Sequence, residues 1–331
     1  MRKLSPFSRR DMLKAGGAAA YMAAGAVLMP QAAMAKAPLR HTQVPGYFRF
    51  NLGEFEITIL SDGNLVLPLG FEAGNVPVPQ LKAYLKSQFL STYDHYSHIN
   101  LALINTGDHV VLIDTGAGLN FQSSAGKLLP NLEASGYRAE DIDKIILTHC
   151  HPDHLLGVID DFEETAQFPN AEYYINGSEF DFWIAEDAAS KLPDNFKGFA
   201  LGARRTLLPI RSKTHRVKND EEIVPGISMI DSFGHTLGHM SVMAQSASEK
   251  LLITSDAVHH ANISLEHPDW VPTVDMDAKQ SIATRRRLLE MAVTDRFMVV
   301  GYHFPFPGVG HIVRAGNVYR WIPATWRWEI E

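Results

Sequence analysis

Short apolar runs bounded by Gly, Asp, Asn and Thr alternate along this chain with longer stretches whose apolar residues recur every three or four positions. The short runs predict strands at Glu54–Leu60, Ile99–Asn105, Val110–Asp114, Lys144–Thr148 and Glu172–Ile175. Further strands are expected at Ile227–Ser232, Ser241–Gln245, Leu251–Thr254, Phe297–Gly301 and Ile312–Arg314. The helical period predicts helices near Gln80–Gln88, Ser124–Ser135, Ser178–Asp187, Phe196–Arg205 and Ala278–Met291. Strands come first and mixed units follow, twice over. That order fits an α/β sandwich of two sheets with helices outside both. No internal sequence repeat marks the two halves.

Several of the strands run into residues that would make a poor core. Ile145-Ile146-Leu147 leads into Thr148-His149-Cys150-His151-Pro152-Asp153-His154, an H-x-H-x-D-H cluster. Imidazole nitrogen and carboxylate oxygen are the ligands that zinc-type ions prefer. His149 and His151, two apart at a strand end, point the same way. Pro152 then turns the chain, so Asp153 and His154 can face a second ion. Three more segments follow apolar runs in the same manner: Gly234-His235-Thr236-Leu237-Gly238-His239, Thr254-Ser255-Asp256 and Gly301-Tyr302-His303. Strand ends that meet loops are where sites are usually built.

These motifs, in this order, resemble the metallo-β-lactamase superfamily over nearly all of the chain beyond its leader. The resemblance implies a four-layer αβ/βα sandwich and two metal sites. His149, His151 and His235 would hold one ion, and Asp153, His154 and His303 the other. Asp256 would bridge both, with a hydroxide as the second bridge. Zinc is the first expectation, and manganese, cobalt or iron also suit these ligands. Asp153 and Asp256 would position the attacking hydroxide, and one of them would take its proton. Val111-Leu112-Ile113-Asp114-Thr115-Gly116 resembles the superfamily's L-I-D-T-G strand end, where the Asp supports a metal-bound histidine from behind.

Other stretches, among them Tyr47 to Asp62, Asp181-Phe182-Trp183 and Phe306-Pro307-Gly308-Val309-Gly310-His311, look like the methyl parathion hydrolase branch, which includes lactonases and aryl esterases. That branch implies an aromatic cage at Phe121, Trp183, Phe196 and Phe199. An apolar cage with few charges selects a neutral, flat substrate. The reading is therefore a hydrolase of a lactone or aryl ester, with an organophosphate triester as a further substrate. The alternatives on this fold are a β-lactamase, a glyoxalase II-type thioesterase, or a non-hydrolytic metal-binding or redox protein. The true β-lactamases carry Cys where Asp256 stands. The lone cysteine, Cys150, points away from the ions by strand alternation. His239, His95, His98, His109, His215 and His311 are expected to pack. His259, His260 and His267 either line the site or lie in a surface loop.

The first 35 residues read as a removable leader. Ser8-Arg9-Arg10-Asp11-Met12-Leu13-Lys14 resembles the twin-arginine export signal. A weakly apolar, Ala- and Gly-rich run follows, and then the A-x-A site Ala33-Met34-Ala35. The run is too short and too weakly apolar for a stable membrane anchor. The domain proper is then 36–331, and the expected location is the periplasm or the medium. Removing five basic residues (Arg2, Lys3, Arg9, Arg10, Lys14) and one acid (Asp11) from 30 and 37 leaves 25 against 36, a formal charge of −11. That excess argues against nucleic acid or an anionic membrane as partner. The expected partners are a small neutral substrate and the export machinery, and the resemblance suggests a homodimer. Replacing Arg9 and Arg10 together by Lys should leave uncleaved precursor in the cytosol on a fractionated immunoblot. Normal delivery of that variant would exclude the twin-arginine route.

Overall fold

The first hairpin joins Tyr47–Leu52 (β1) to Phe55–Pro68 (β2), and β2 pairs in turn with Asp94–Asn105 (β3). Val110–Ile113 (β4) closes the antiparallel part. Lys144–Leu147 (β5), Glu172–Asn176 (β6) and Thr214–Val217 (β7) continue it in parallel. The result is a seven-stranded sheet in sequence order. The second sheet also has seven strands: Glu222–Val224 (β8), Ile227–Asp231 (β9), Met240–Ser246 (β10), Glu249–Ile253 (β11), Met298–Val300 (β12), Val309–Ala315 (β13) and Val318–Pro323 (β14). Only β11 and β12 run parallel in it. The computed structural model describes Leu39, Gln43, Val44, residues 46–160 and residues 162–330. The expected leader and its expected cleavage site lie outside the described residues.

Strand alternation builds three layers of core. In the first sheet Ala102, Ile104, Val111, Ile113 and Ile146 face the second sheet, where Met229, Val242, Ala244, Leu251 and Ile253 meet them. The alternate residues Leu101, Leu103, Leu112, Ile145 and Leu147 face outward, as the two-residue period of a strand requires. Leu132 of the helix Leu128–Ala134 and Leu207 of the helix Lys197–Ile210 cover that outer face. On the far side Leu252, Val299 and Ile312 are covered by Leu288, Leu289 and Ala292 of the helix Ala278–Asp295. The order is helices, sheet, sheet, helices: the αβ/βα sandwich expected from the motifs.

All ten expected strands and five expected helices are present, with shifted ends. Four strands went unanticipated: β1, β7, β8 and β14. They are the two edges of each sheet. An edge strand has one neighbour and keeps more of its surface in water, so polar residues dilute its alternation. Met240 N–H donates to the Thr148 carbonyl (3.0 Å) and Asn100 N–H to the Tyr302 carbonyl (2.9 Å). The Asn100 amide also reaches the Gly301 and Phe304 carbonyls at 3.2 and 2.7 Å. These bonds tie the two sheets together at the end where the histidine motifs emerge.

Candidate metal centre

Each candidate ligand stands where a buried strand runs out. After β5, Thr148–His151 leaves the sheet, and Pro152 starts a four-residue helix, Pro152–Leu155. Proline suits this first helical position because its missing N–H would have had no partner there. His235 comes from the loop before β10, Asp256 from the 3₁₀ turn Ser255–Val258 after β11, and His303 from the loop after β12. The side chains fall into two groups: His149, His151, His235 and Asp256 in one, Asp153, His154 and His303 in the other. Within each, one ligand atom per residue lies within 4.8 Å of the rest.

Asp256 stands between the groups. Its Oδ2 is 3.3 Å from His235 Nε2, 3.3 Å from His303 Nε2 and 3.9 Å from His149 Nε2, and its Oδ1 is 3.2 Å from His154 Nε2. Asp153 Oδ2 lies 3.4 Å from His303 Nε2. All seven side chains are buried, none more than 7% exposed. Burial drives the His149 and His151 imidazoles well below their ordinary range, and neighbouring histidines add to this. Among the described residues His149 Nε2 has no hydrogen-bond partner, while His151 Nδ1 lies 2.9 Å from His235 Nε2. Burial also opposes a charge on His235, but Asp256 and Asp275 outweigh it and raise that ring to about 9.

The ligands are oriented from behind. His154 Nδ1 is 2.9 Å from the Asp114 carboxylate, which also receives the Thr148 N–H (2.7 Å) and hydroxyl (2.8 Å). His235 Nδ1 is 2.6 Å from Asp275. His303 Nδ1 donates to the His98 carbonyl at 2.7 Å. Asp275 is itself held by the Ser281 hydroxyl and by Arg285, a fully buried guanidinium. Asp114 (φ 63°) and Ser255 (φ 46°) both occupy the left-handed region. Non-glycine residues persist there only where the surroundings over-determine them, as these bonds do.

Glu179 is a further buried carboxylate at the site. It accepts from Cys150 N–H, Trp183 Nε1–H, the Thr236 hydroxyl and Gly238 N–H at 2.6–3.0 Å. One carboxylate thus clamps the His149–His154 loop to the His235–His239 loop. Burial raises its pKa, against these four donors. His239 does more than pack: its Nε2 accepts the Asp256 N–H at 3.1 Å. Burial lowers that ring to about 3, which keeps the nitrogen an acceptor. Cys150 lies in the outer core, away from the centre.

A family model, the metallo-beta-lactamase superfamily, matches residues 97–303. The chain belongs to that superfamily. The solved structure of AidC, a dizinc quorum-quenching lactonase in complex with a product N-hexanoyl-L-homoserine, superposes with a TM-score of 0.80 at 30% identity, covering 85% of this chain and 98% of that one. The hydrolase AbOPH, of the beta lactamase superfamily, gives 0.79 at 32% identity, covering 86% and 100%. An N-acyl homoserine lactonase of Bacillus cereus is 24% identical over 220 residues, 61% of this chain and 79% of that protein.

The metallo-beta-lactamase site can be tested for its ions on its own atoms. His149 Nε2, His154 Nε2, Asp153 Oδ2 and Asp256 Oδ1 are buried and have no hydrogen-bond partner among the described residues. Four such orphans at one point would cost several kcal/mol. Two zinc-type ions would satisfy all of them, and the donor set of imidazoles and carboxylates suits those ions. The protein is accordingly a metal-dependent hydrolase of the dinuclear type.

The four expected cage residues separate. Phe121, Phe196 and Phe199 are half-buried and adjoin one another, with ring centroids 6.4 and 5.3 Å from Phe199. Phe199 lies 5.6 Å from the His151 ring. Trp183 is buried beneath His151, edge-on at 5.8 Å, with its N–H bonded to Glu179. His259 and His260 are buried at the site, whereas His267 stacks on Trp270 at 4.0 Å. Asp275, Glu179, Arg285 and the His98 carbonyl were not anticipated. Each reaches the site from far along the chain, and no local motif marks it.

Asp275→Asn and Asp114→Asn should each weaken metal retention about 10- to 100-fold, as loss of a group orienting a metal-bound imidazole does. Chelator titration of the loaded protein measures this, and retention within twofold of the wild type would show that these carboxylates do not orient ligands.

Proposed function

We propose that the protein hydrolyses neutral lactones, N-acyl homoserine lactones first among them, with aryl esters and organophosphate triesters as secondary substrates. The observation that carries this reading is the character of the space beside the centre. A recess of about 200 Å³ opens next to His303, lined by Leu69, Leu81, Leu85, Leu90 and Ile263, and no Lys or Arg among the described residues lines it. A carboxylate-bearing β-lactam or a glutathione thioester would find no cation there. An acyl chain would find aliphatic walls, and a lactone ring could lie against Phe199 on the opposite, His151 side. The likeness to AidC supports the same substrate class.

When bound, the two ions supply polarisation of the acyl oxygen and lower the pKa of water. The chain's own residues do the rest. Asp153, through the carboxylate oxygen that an ion would leave free, accepts a proton from the attacking water. The water oxygen bonds to the acyl carbon, the ring C–O bond breaks, and the proton passes to the released alkoxide, giving a hydroxy acid. Asp256, held through its backbone by His239, keeps the two ligand groups in register. Export by the twin-arginine route belongs to the same proposal and rests on the leader sequence.

In a panel of N-acyl homoserine lactones, aryl acetates, phosphotriesters and a chromogenic β-lactam, the lactones should give the highest kcat/KM. Lengthening the acyl chain should raise it about fourfold per methylene until the recess is full, from about 0.8 kcal/mol per buried CH₂. A flat chain-length profile, or preference for the β-lactam, would overturn the substrate assignment.

Phe199→Ala should raise KM about 10-fold with little change in Tm, the mark of lost substrate binding. Trp183→Ala should instead lower Tm, because a buried Trp costs about 3–5 kcal/mol to truncate. Equal Tm losses in both would assign Phe199 to the core.

A further inference from the structure

Ligand imidazoles of the centre have their second nitrogen hydrogen-bonded to an oxygen behind them: His154 to Asp114, His235 to Asp275 and His303 to the His98 carbonyl. His259, outside the seven-ligand set, also has a carboxylate behind its ring. Its Nδ1 lies 2.8 Å from Glu72 Oε2, an ion-pair contact outside hydrogen-bond geometry, and both side chains are buried. Metal-bound histidines almost always carry such a partner, because it fixes the ring and makes the free nitrogen a better donor.

The other face of the ring points the right way. His259 Nε2 lies 3.4 Å from Asp256 Oδ2, beside the 3.3 Å of His235 and His303 from the same oxygen. Ligand atoms about 2.0–2.1 Å from one ion, at angles of about 90–110°, stand about 2.9–3.4 Å apart. The ring stands 4.2 Å from that of His303. Asp256, His259 and His303 bring ligand atoms within 4.8 Å of one another, a third grouping that shares two members with the first two. Local geometry explains the placement. Asp256 lies in the 3₁₀ turn Ser255–Val258 and His259 follows it directly. In a 3₁₀ turn residues three apart eclipse, so the chain that presents Asp256 presents His259 on the same side.

Glu72 is built for this contact. It sits in the 3₁₀ turn Phe71–Ala73, which is anchored to the Val271 carbonyl through Gly74 N–H (2.8 Å). Its other oxygen faces His95 Nε2 at 3.1 Å. The carboxylate thus stands between the His259 and His95 rings.

We infer that His259 is an eighth protein ligand, donating Nε2 to an ion that Asp256 and His303 would also hold, with Glu72 as its positioning residue. The inference rests on the two-ion reading of the site and is independent of the substrate. An extra imidazole on one ion would make the two sites unequal.

The test is metal release and spectroscopy, separate from turnover. Zinc-loaded wild type, His259→Ala, His259→Gln and Glu72→Gln are titrated with a chromogenic chelator. Cobalt-loaded forms are compared by visible absorption. The His259 variants should release one of two equivalents about 10- to 100-fold more readily, and Glu72→Gln should do so to a smaller degree. The cobalt bands of the His259 variants should shift and change intensity. Tm of each loaded protein is measured alongside. Should the His259 variants fail to fold, Glu72→Gln carries the test, since it keeps the shape of the side chain. Two equivalents released as in the wild type, with unchanged cobalt bands, would overturn the inference while leaving the two-ion site intact. Wild type that never holds two equivalents would overturn both.

Discussion

Five imidazoles and two carboxylates converge on one buried volume, and the rest of the structure is organised around tolerating this. Unpartnered, such groups oppose folding: burial disfavours their charged forms and leaves their inward atoms without hydrogen bonds. The fold meets that cost in two ways. It supplies each ring with a partner on its outer nitrogen or its backbone, and it aims the inner nitrogens at positions where zinc-type ions fit. The strain at Asp114 and Ser255 and the deep burial of Arg285 and Glu179 all serve the same few side chains.

This support is layered. Asp275 orients His235 and is held by Ser281 and Arg285 from the helix Ala278–Asp295. Arg285 also donates to the carbonyls of Ala257, Pro268 and Trp270. One guanidinium therefore joins the Asp256 turn, the loop carrying Trp270, which packs with Leu81, Leu85 and Ile263, and the support of His235. Glu179 does the equivalent for the loops carrying His149 and His235. A charged group buried with its hydrogen bonds made is worth little to net stability, but it specifies one arrangement of loops.

The two sides of the centre differ in chemistry. Towards His151 stand the half-exposed rings of Phe121, Phe196 and Phe199. Towards His303 stands the aliphatic recess, with Glu72, His95 and His260 at its polar end. A substrate with a compact ring and a flexible apolar tail matches such a pairing, and a polyanion does not.

The amino-acid sequence alone determined the ligand motifs, the interior strands and the helices, because these are local: a metal motif is a spacing, and a core strand or amphipathic helix is a period. The strand alternation that sends Cys150 outward while His149 and His151 face the centre could be read the same way. Only the tertiary structure decided the edge strands β1, β7, β8 and β14, where solvent on one side weakens the period. It alone decided which carboxylate stands behind which histidine. Asp275 lies 40 positions from His235, and Glu72 lies far from His259, so nothing in their neighbourhoods marks them. It also separated Trp183, bonded to Glu179 in the core, from the phenylalanines that share its aromatic character but line accessible space. Local spacing sets which atoms can bind a metal. Their aim and support come from contacts between distant segments, which only the packed sheets bring together.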